Sequence, residues 1–460
     1  MAPLLTIACP LHPAGSFITA FSLLPSLCNQ MLCLKPLPTN KNGVHFFYVR
    51  CWKEEEEEVE RPRSRGICPV VRIPVQSDIQ RPLRGLIPKD LADRLSCIRN
   101  QIVLVAADTG VSAITELRRG LEEYLSILIG LTEEEHRLKG IIEFKWKNLE
   151  DGRHETCGAN SWFEILAVVH LMAMLTLSEA DSLMIPKDHS GSGLRVVPSD
   201  CKRDAVDLLL KAAGYLHICV RDILVRIPPD IKKRLPKDLQ DGVLEAIAIQ
   251  ALGQGTEVQL SLAVECQKAT SSVKRRLACE QLSYFSQAYQ CLLGGDMDTK
   301  NGYGKKHLWF IKWKFLEAKA VAYYYHGLIL DKGNEPSCNV SAACCFLAAE
   351  ELLSESKKAC LNFCLAAPVT RASPLGGSMK HLHQKIPEVA SRKSQMYGYL
   401  LEQDKALQTL PDLPDFQLSL TPDDYQLPER DPAWDTEKWE IQGQPLKDHL
   451  KDSEDEIETE

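Results

Sequence analysis

Over most of this chain, hydrophobic residues recur every three or four positions, the spacing that lines up one side of an α-helix. Leu91, Leu95, Ile98, Ile102 and Val105 predict a helix over about 89–106, and Ile114, Leu117, Leu121, Leu125 and Leu128 a second over about 111–131. Thr132 and Glu133–Glu135 break that stripe, and in 141–146 Ile142, Phe144 and Trp146 alternate with charged residues, as in a β-strand. Seven further helical stripes follow, near 161–183, 202–226, 236–267, 271–293, 306–330, 340–364 and 378–407. Short breakers such as Ile227-Pro228-Pro229, Gly294-Gly295 and Gly333–Pro336 part them. Consecutive helices longer than the usual mean bury their apolar faces most simply by packing side by side. The expected fold is mostly α: an elongated, curved solenoid of antiparallel helix pairs with a tetratricopeptide-like core and a small β element near the N-terminal part. No strict repeat of about 34 residues is present, so the tetratricopeptide likeness is one of architecture only.

The pattern changes towards both ends. In 410–434, Pro411, Pro414, Pro422, Pro428 and Pro432 alternate with Leu413, Phe416, Leu418, Leu420 and Tyr425, which predicts an extended arm laid along a helical surface. Residues 51–66 are a charged run closed by Pro, Arg and Gly, a solvated linker. The expected division is a disordered or targeting leader with its acidic run over 1–67, a helical domain over 68–434 that includes the arm, and an acidic disordered tail over 435–460.

The formal net charge is −8. From Arg430 to Glu460 the chain carries eleven acidic and four basic residues, so the acidity belongs to the tail and the folded body is nearly neutral. No basic excess points to nucleic acid. The seventeen cysteines are scattered, mostly in apolar helical contexts and without any CxxC pair, which favours buried thiols in a reducing compartment over a disulfide framework. Residues 1–34 contain no Lys, Arg, Asp or Glu, leaving organelle targeting open, although there is no basic n-region and Pro10, Pro13 and Pro25 interrupt the apolar stretches. The longest apolar stretch, Trp162–Leu177, holds Glu164 and His170 and is shorter than a bilayer requires; it reads as a core helix.

Candidate chemistry is sparse. His154 and Cys157 form an HxxC with no second ligand pair, whereas zinc takes four ligands. Cys360 and Cys364 lie one turn apart and read as core thiols. Gly302–Lys306 resembles the end of a phosphate loop, but Thr299 stands where the first glycine belongs and Lys306 where Ser or Thr is required. Glu164 and His170 read as a buried, mutually satisfied pair. The sequence gives no catalytic residue, no metal site, no cofactor and no small-molecule substrate.

Three stretches carry a family resemblance: Trp162-Phe163-Glu164 with His170–Leu175, Lys211-Ala212-Ala213-Gly214-Tyr215-Leu216, and the block Gln250–Phe285. Together with Glu317–Ala320 and Tyr323–Gly327 they are similar in order and spacing to the Bro-one (endosomal-targeting) domain family. Gly253-Gln254-Gly255 and the Leu410–Pro428 arm most resemble the short plant members, and more distantly Alix. Short plant members begin Met-Gly-Cys; Met1-Ala2-Pro3 stands here, which excludes N-myristoylation for a start at Met1.

The resemblance implies a non-catalytic adaptor in endosomal sorting, cytoplasmic and peripheral on endosomes. Its partner would be the C-terminal amphipathic helix of an ESCRT-III subunit, held on a hydrophobic patch. Block matching places Leu260, Val273 and Leu277 at that patch. Thr270-Ser271-Ser272 independently reads as a helix start that puts Val273 and Leu277 on one face, edged by Lys274, Arg275 and Arg276. Lys305, Lys306, Lys312 and Lys314 form a second basic cluster, a candidate contact with anionic endosomal membrane. The alternatives are a helical-repeat scaffold with an unrelated partner and a cysteine- or metal-dependent organellar enzyme.

Overall fold

The computed structural model describes residues 71–106, 111–148, 155–188, 195–294, 302–367, 377–403 and 409–435, and a short hairpin of β1 (Leu34–Pro36) with β2 (Phe47–Val49). The leader outside that hairpin, His154 and the tail beyond 435 lie outside the described residues. Two units are distinguished, Met1–Arg61 and Pro62–Glu460.

The second unit opens with a three-stranded antiparallel sheet in the order β3 (Arg72–Pro74), β4 (Phe144–Asn148), β5 (Glu155–Gly158). Ile73 faces Lys147 across one seam and Trp146 faces Thr156 across the other. The alternation of Phe144 and Trp146 puts both rings into the core. Between β3 and β4 run α1 (Gln80–Leu83), α2 (Lys89–Val105) and α3 (Val111–Ile129). The strand predicted at 141–146 is displaced to 144–148, because a turn occupies 139–142. Its partners are only three and four residues long.

α4 (Ser161–Leu183) starts where Asn160 caps it, its side-chain oxygen accepting the N–H groups of Trp162 at 2.9 Å and Phe163 at 3.3 Å. Long and apolar enough to cross a bilayer, it is instead enclosed by the domain and is the core helix that its two polar residues suggested. Those residues are not partners. Glu164 accepts hydrogen bonds from Arg99 Nε at 2.9 Å, Tyr124 Oη at 3.0 Å and Trp146 Nε1 at 2.5 Å. His170 has no partner on either ring nitrogen among the described residues. At about 100° per residue, positions six apart point to different faces of a helix, so the expected pair is corrected by geometry.

Beyond α4, a two-strand pairing of β6 (Lys187–Asp188) with β7 (Arg195–Val196) leads to α5 (Ser199–Ile218). The predicted helix 202–226 is broken near its end by a π-turn, Cys219–Ile223, before α6 (Leu224–Arg226) and α7 (Pro229–Lys232). Then come α8 (Asp241–Glu265), α9 (Ser271–Gly294), α10 (Gly302–Leu330), α11 (Pro336–Leu365) and α12 (Gly377–Gln403). From α8 onward each helix packs on the next, and α5 bridges α4 to α8, the successive antiparallel pairing the stripes predicted.

Residues 409–431 form the extended arm, which runs back over this array. Leu413 and Phe416 pack beside the α10–α12 core, and Leu418, Leu420, Tyr425 and Leu427 on the core of α2–α8. Tyr284 Oη donates to the Leu420 carbonyl at 2.6 Å, and Ser419 donates its N–H to Glu280 at 2.9 Å. Asp423 N–H donates to the Leu210 carbonyl at 3.2 Å, directly above Ala212-Ala213-Gly214. A Cβ on Gly214 would meet the Asp423 carbonyl, so the small residues of that motif admit the arm's backbone.

Candidate partner-binding site

Thr270 caps α9: its Oγ1 accepts the Val273 N–H at 3.4 Å and its carbonyl the Lys274 N–H at 3.2 Å. The helix that follows turns Val273 outward, 47% exposed, while Leu277 one turn later is half-buried against the core shared with α10 and α11. The expected apolar strip therefore exists over these two residues, open at Val273 and closing towards Leu277. Leu260, matched to the same patch, is corrected: at 1% exposed it belongs to the core beneath, with Ala278, Phe346 and Tyr325 around it.

The cations beside the strip differ in what they touch. Arg276 Nε donates to the buried carboxylate of Glu280 at 2.8 Å, tying α9 to the arm through Ser419. Lys274 is half-exposed. Arg275 lies between α10 and the arm: Nη1 is 3.1 Å from His326 Nδ1, and the guanidinium carbon is 5.9 Å from the centre of the Phe416 ring. Phe416 and Leu413 thus extend the floor next to Leu277, which the sequence alone did not reveal because the arm and α9 are more than a hundred residues apart.

The second basic cluster does not form one surface. Lys306 is buried and donates to the carbonyls of Phe363 and Ala366, both at 3.3 Å, closing the end of α11. Lys314 is buried between Glu257 at 2.7 Å and Glu317 at 3.1 Å. Burial opposes its charge, yet the two carboxylates outweigh that cost and hold its pKa above the usual lysine value. Both residues are withdrawn as membrane contacts. Lys305 is exposed and Lys312 half-exposed over Trp309.

The same polar seam continues to His383, which lies 2.8 Å from Glu317, and to Cys360. A hydrogen bond with Cys364 and then burial push the Cys360 thiol well up, so it is not a thiolate at neutral pH. Among the described residues no group of three or more His, Cys, Asp or Glu could hold a metal ion.

No family model matches the chain. It is 24% identical over 258 residues to the BRO1 domain-containing protein BROX of Danio rerio, an alignment covering 53% of this chain and 58% of that one. The chain thus spans less than two thirds of the length of the first curated relatives it matches, at 57–58%. In structure it is similar to the ALIX BRO1 CHMP4C complex, with TM-score 0.58 and 14% identity over 81% of this chain and 100% of that one. It is also similar to a structure described as the basis for endosomal targeting by the Bro1 domain, with TM-score 0.53 and 15% identity over 80% and 94%. These matches support the Bro1 (Bro-one) domain and leave the closeness to plant members without support. In sequence and in fold, then, this chain is similar to Bro1-domain proteins.

Proposed function

We propose that the chain is a non-catalytic adaptor in endosomal sorting that docks the C-terminal amphipathic helix of an ESCRT-III subunit on α9. The observation that carries this reading is Val273, an apolar side chain left 47% exposed at the start of a capped helix, with Leu277 continuing its face and Lys274, Arg275 and Arg276 beside it. An apolar strip edged by cations suits the helix-in-groove mode with an acidic-flanked helix. The solved complex of ALIX BRO1 with CHMP4C supports the choice of partner.

The chain would act peripherally on the cytoplasmic face of endosomes. Lys305 and Lys312, the two accessible members of the lysine cluster, contribute about 1 kcal/mol each on an anionic surface, too little to anchor a protein of this size alone. Recruitment through the ESCRT-III partner therefore leads, with lipid contact secondary.

A labelled peptide of the CHMP4C C-terminal helix should bind the full chain with micromolar affinity. Val273→Asp, at an exposed position, should abolish binding while leaving the far-UV circular dichroism and melting temperature unchanged. No binding by the unmodified chain would overturn the proposal, and capture of an unrelated partner on the same strip would favour the helical-repeat alternative.

A further inference from the structure

Among the described residues, many half-buried or buried cations have a carboxylate. Arg72 has Asp238, Arg99 has Glu164, Lys202 has Glu265, Lys314 has two, and Lys393 has Asp331. Arg275 does not: no carboxylate among the described residues lies within ion-pair distance of it. A guanidinium has five N–H donors and no acceptor. One of Arg275's goes to His326, which must therefore accept through the Nδ1 lone pair and stay neutral. Burial first, and the Arg275 charge second, hold His326 below the usual histidine range, which agrees with that arrangement. The Nε–H is buried with no partner among the described residues.

We infer that Arg275 is an acceptor site for a carboxylate, supplied by an acidic side chain of the docking helix next to its apolar stripe. The inference rests on the proposed docking mode and deepens it. Half-buried donors left unfilled carry a free-energy cost that a partner carboxylate removes, and such charge-assisted bonds are roughly twice as strong as neutral ones. The guanidinium is already oriented, held by His326 on one side and by the Phe416 ring on another, so little side-chain freedom is lost when a carboxylate arrives. Arg276 differs in that its charge is already paired with the Glu280 carboxylate. The arrangement also sets register: with Val273 and Leu277 taking the apolar positions, the acidic residue must sit on the helix edge that faces α10 and the arm.

The test is a double-mutant cycle by fluorescence anisotropy on the full chain, using the CHMP4C C-terminal helix peptide and a set of peptides in which each Asp or Glu is replaced in turn by its amide. Arg275→Gln should weaken the unmodified peptide about tenfold or more. One amide peptide should lose as much against the unmodified chain and lose nothing further against Arg275→Gln. The cycle is closed a second time with Arg275→Met, and the melting temperature of each variant is read beside it, so that the coupling is taken from a variant that folds like the unmodified chain. Binding that is indifferent to every amide replacement, or losses that simply add, would overturn the inference while leaving the docking site in place. Absence of binding by the unmodified pair would overturn the docking reading itself, and this inference with it.

Discussion

Trp434 donates its indole N–H to the backbone carbonyl of Ile127, 2.9 Å away and 307 residues earlier in the chain. The ring is fully buried, and Gly130 leaves the room for it, since a Cβ there would overlap the indole. Asp431 adds an N–H bond to the Ser126 carbonyl at 3.1 Å and an ion pair with Arg94 at 3.0 Å.

Removing the ring or its seat should therefore cost the same stability. Trp434→Ala leaves a cavity worth about 3–5 kcal/mol, and Gly130→Ala expels the ring by overlap. Thermal melts should show each variant lowered and the double variant no worse than the poorer single one, since both act through one contact. Additive losses would contradict this.

Glu164 receives three donors in the core, and its removal strands the Arg99 charge. Glu164→Ala should destabilise the fold by about 3–5 kcal/mol, measured by urea denaturation. Replacing Arg99 and Glu164 together by Met and Leu should recover much of that loss, because no buried charge remains.

Two buried histidines make stability depend on pH. Burial lowers His170 and His307 from 6.5 to about 4 each. For His170 the nearby Asp238 opposes the shift and Arg72 adds to it. The unfolded imidazoles take up protons below about pH 6.5 and the folded ones only near 4, so the unfolded state binds more protons in that window. Stability is full above pH 6.5 and falls as the pH drops towards 4, by on the order of 3 kcal/mol per histidine. Urea midpoints measured between pH 7.5 and 4.5 should show the slope, and His170→Leu should flatten part of it. A slope unchanged in that variant would exclude His170 as a source.

Lys314 and Lys305 should separate cleanly although they lie nine positions apart in one cluster. Lys314→Met strands Glu257 and Glu317 and should lower the melting temperature sharply, by about 3–5 kcal/mol of stability. Lys305→Met should leave the melt unchanged and alter only vesicle binding, read by sedimentation with anionic liposomes.

The helices were legible because each buries a continuous stripe. Ser161–Leu183 is the extreme case, apolar on nearly every side and found at the predicted ends. The π-turn at Cys219–Ile223 was not legible, since one extra residue per turn leaves the apolar spacing almost intact. At the candidate site, local spacing put Val273 and Leu277 on one helix face and only the resemblance named them as a patch, whereas the burial of Leu260, Lys306 and Lys314 depends on helices that arrive from elsewhere in the chain. Basic residues near each other in sequence do not imply a basic surface; on a helix with neighbours on several sides, positions 306 and 314 point inward and 305 and 312 outward.

An array in which helices touch mainly their immediate neighbours is expected to melt piecemeal from its ends. The arm changes that expectation, because it visits the helices in reverse order: beside Leu277 first, then Tyr284, then Leu210, and finally Ile127. Loosening any one station shortens the hold on the next, so early and late segments of the sequence share a fate. Such a molecule should lose its structure in a single cooperative transition, and a partner gripping α9 beside Phe416 would be felt as far away as the seat of Trp434.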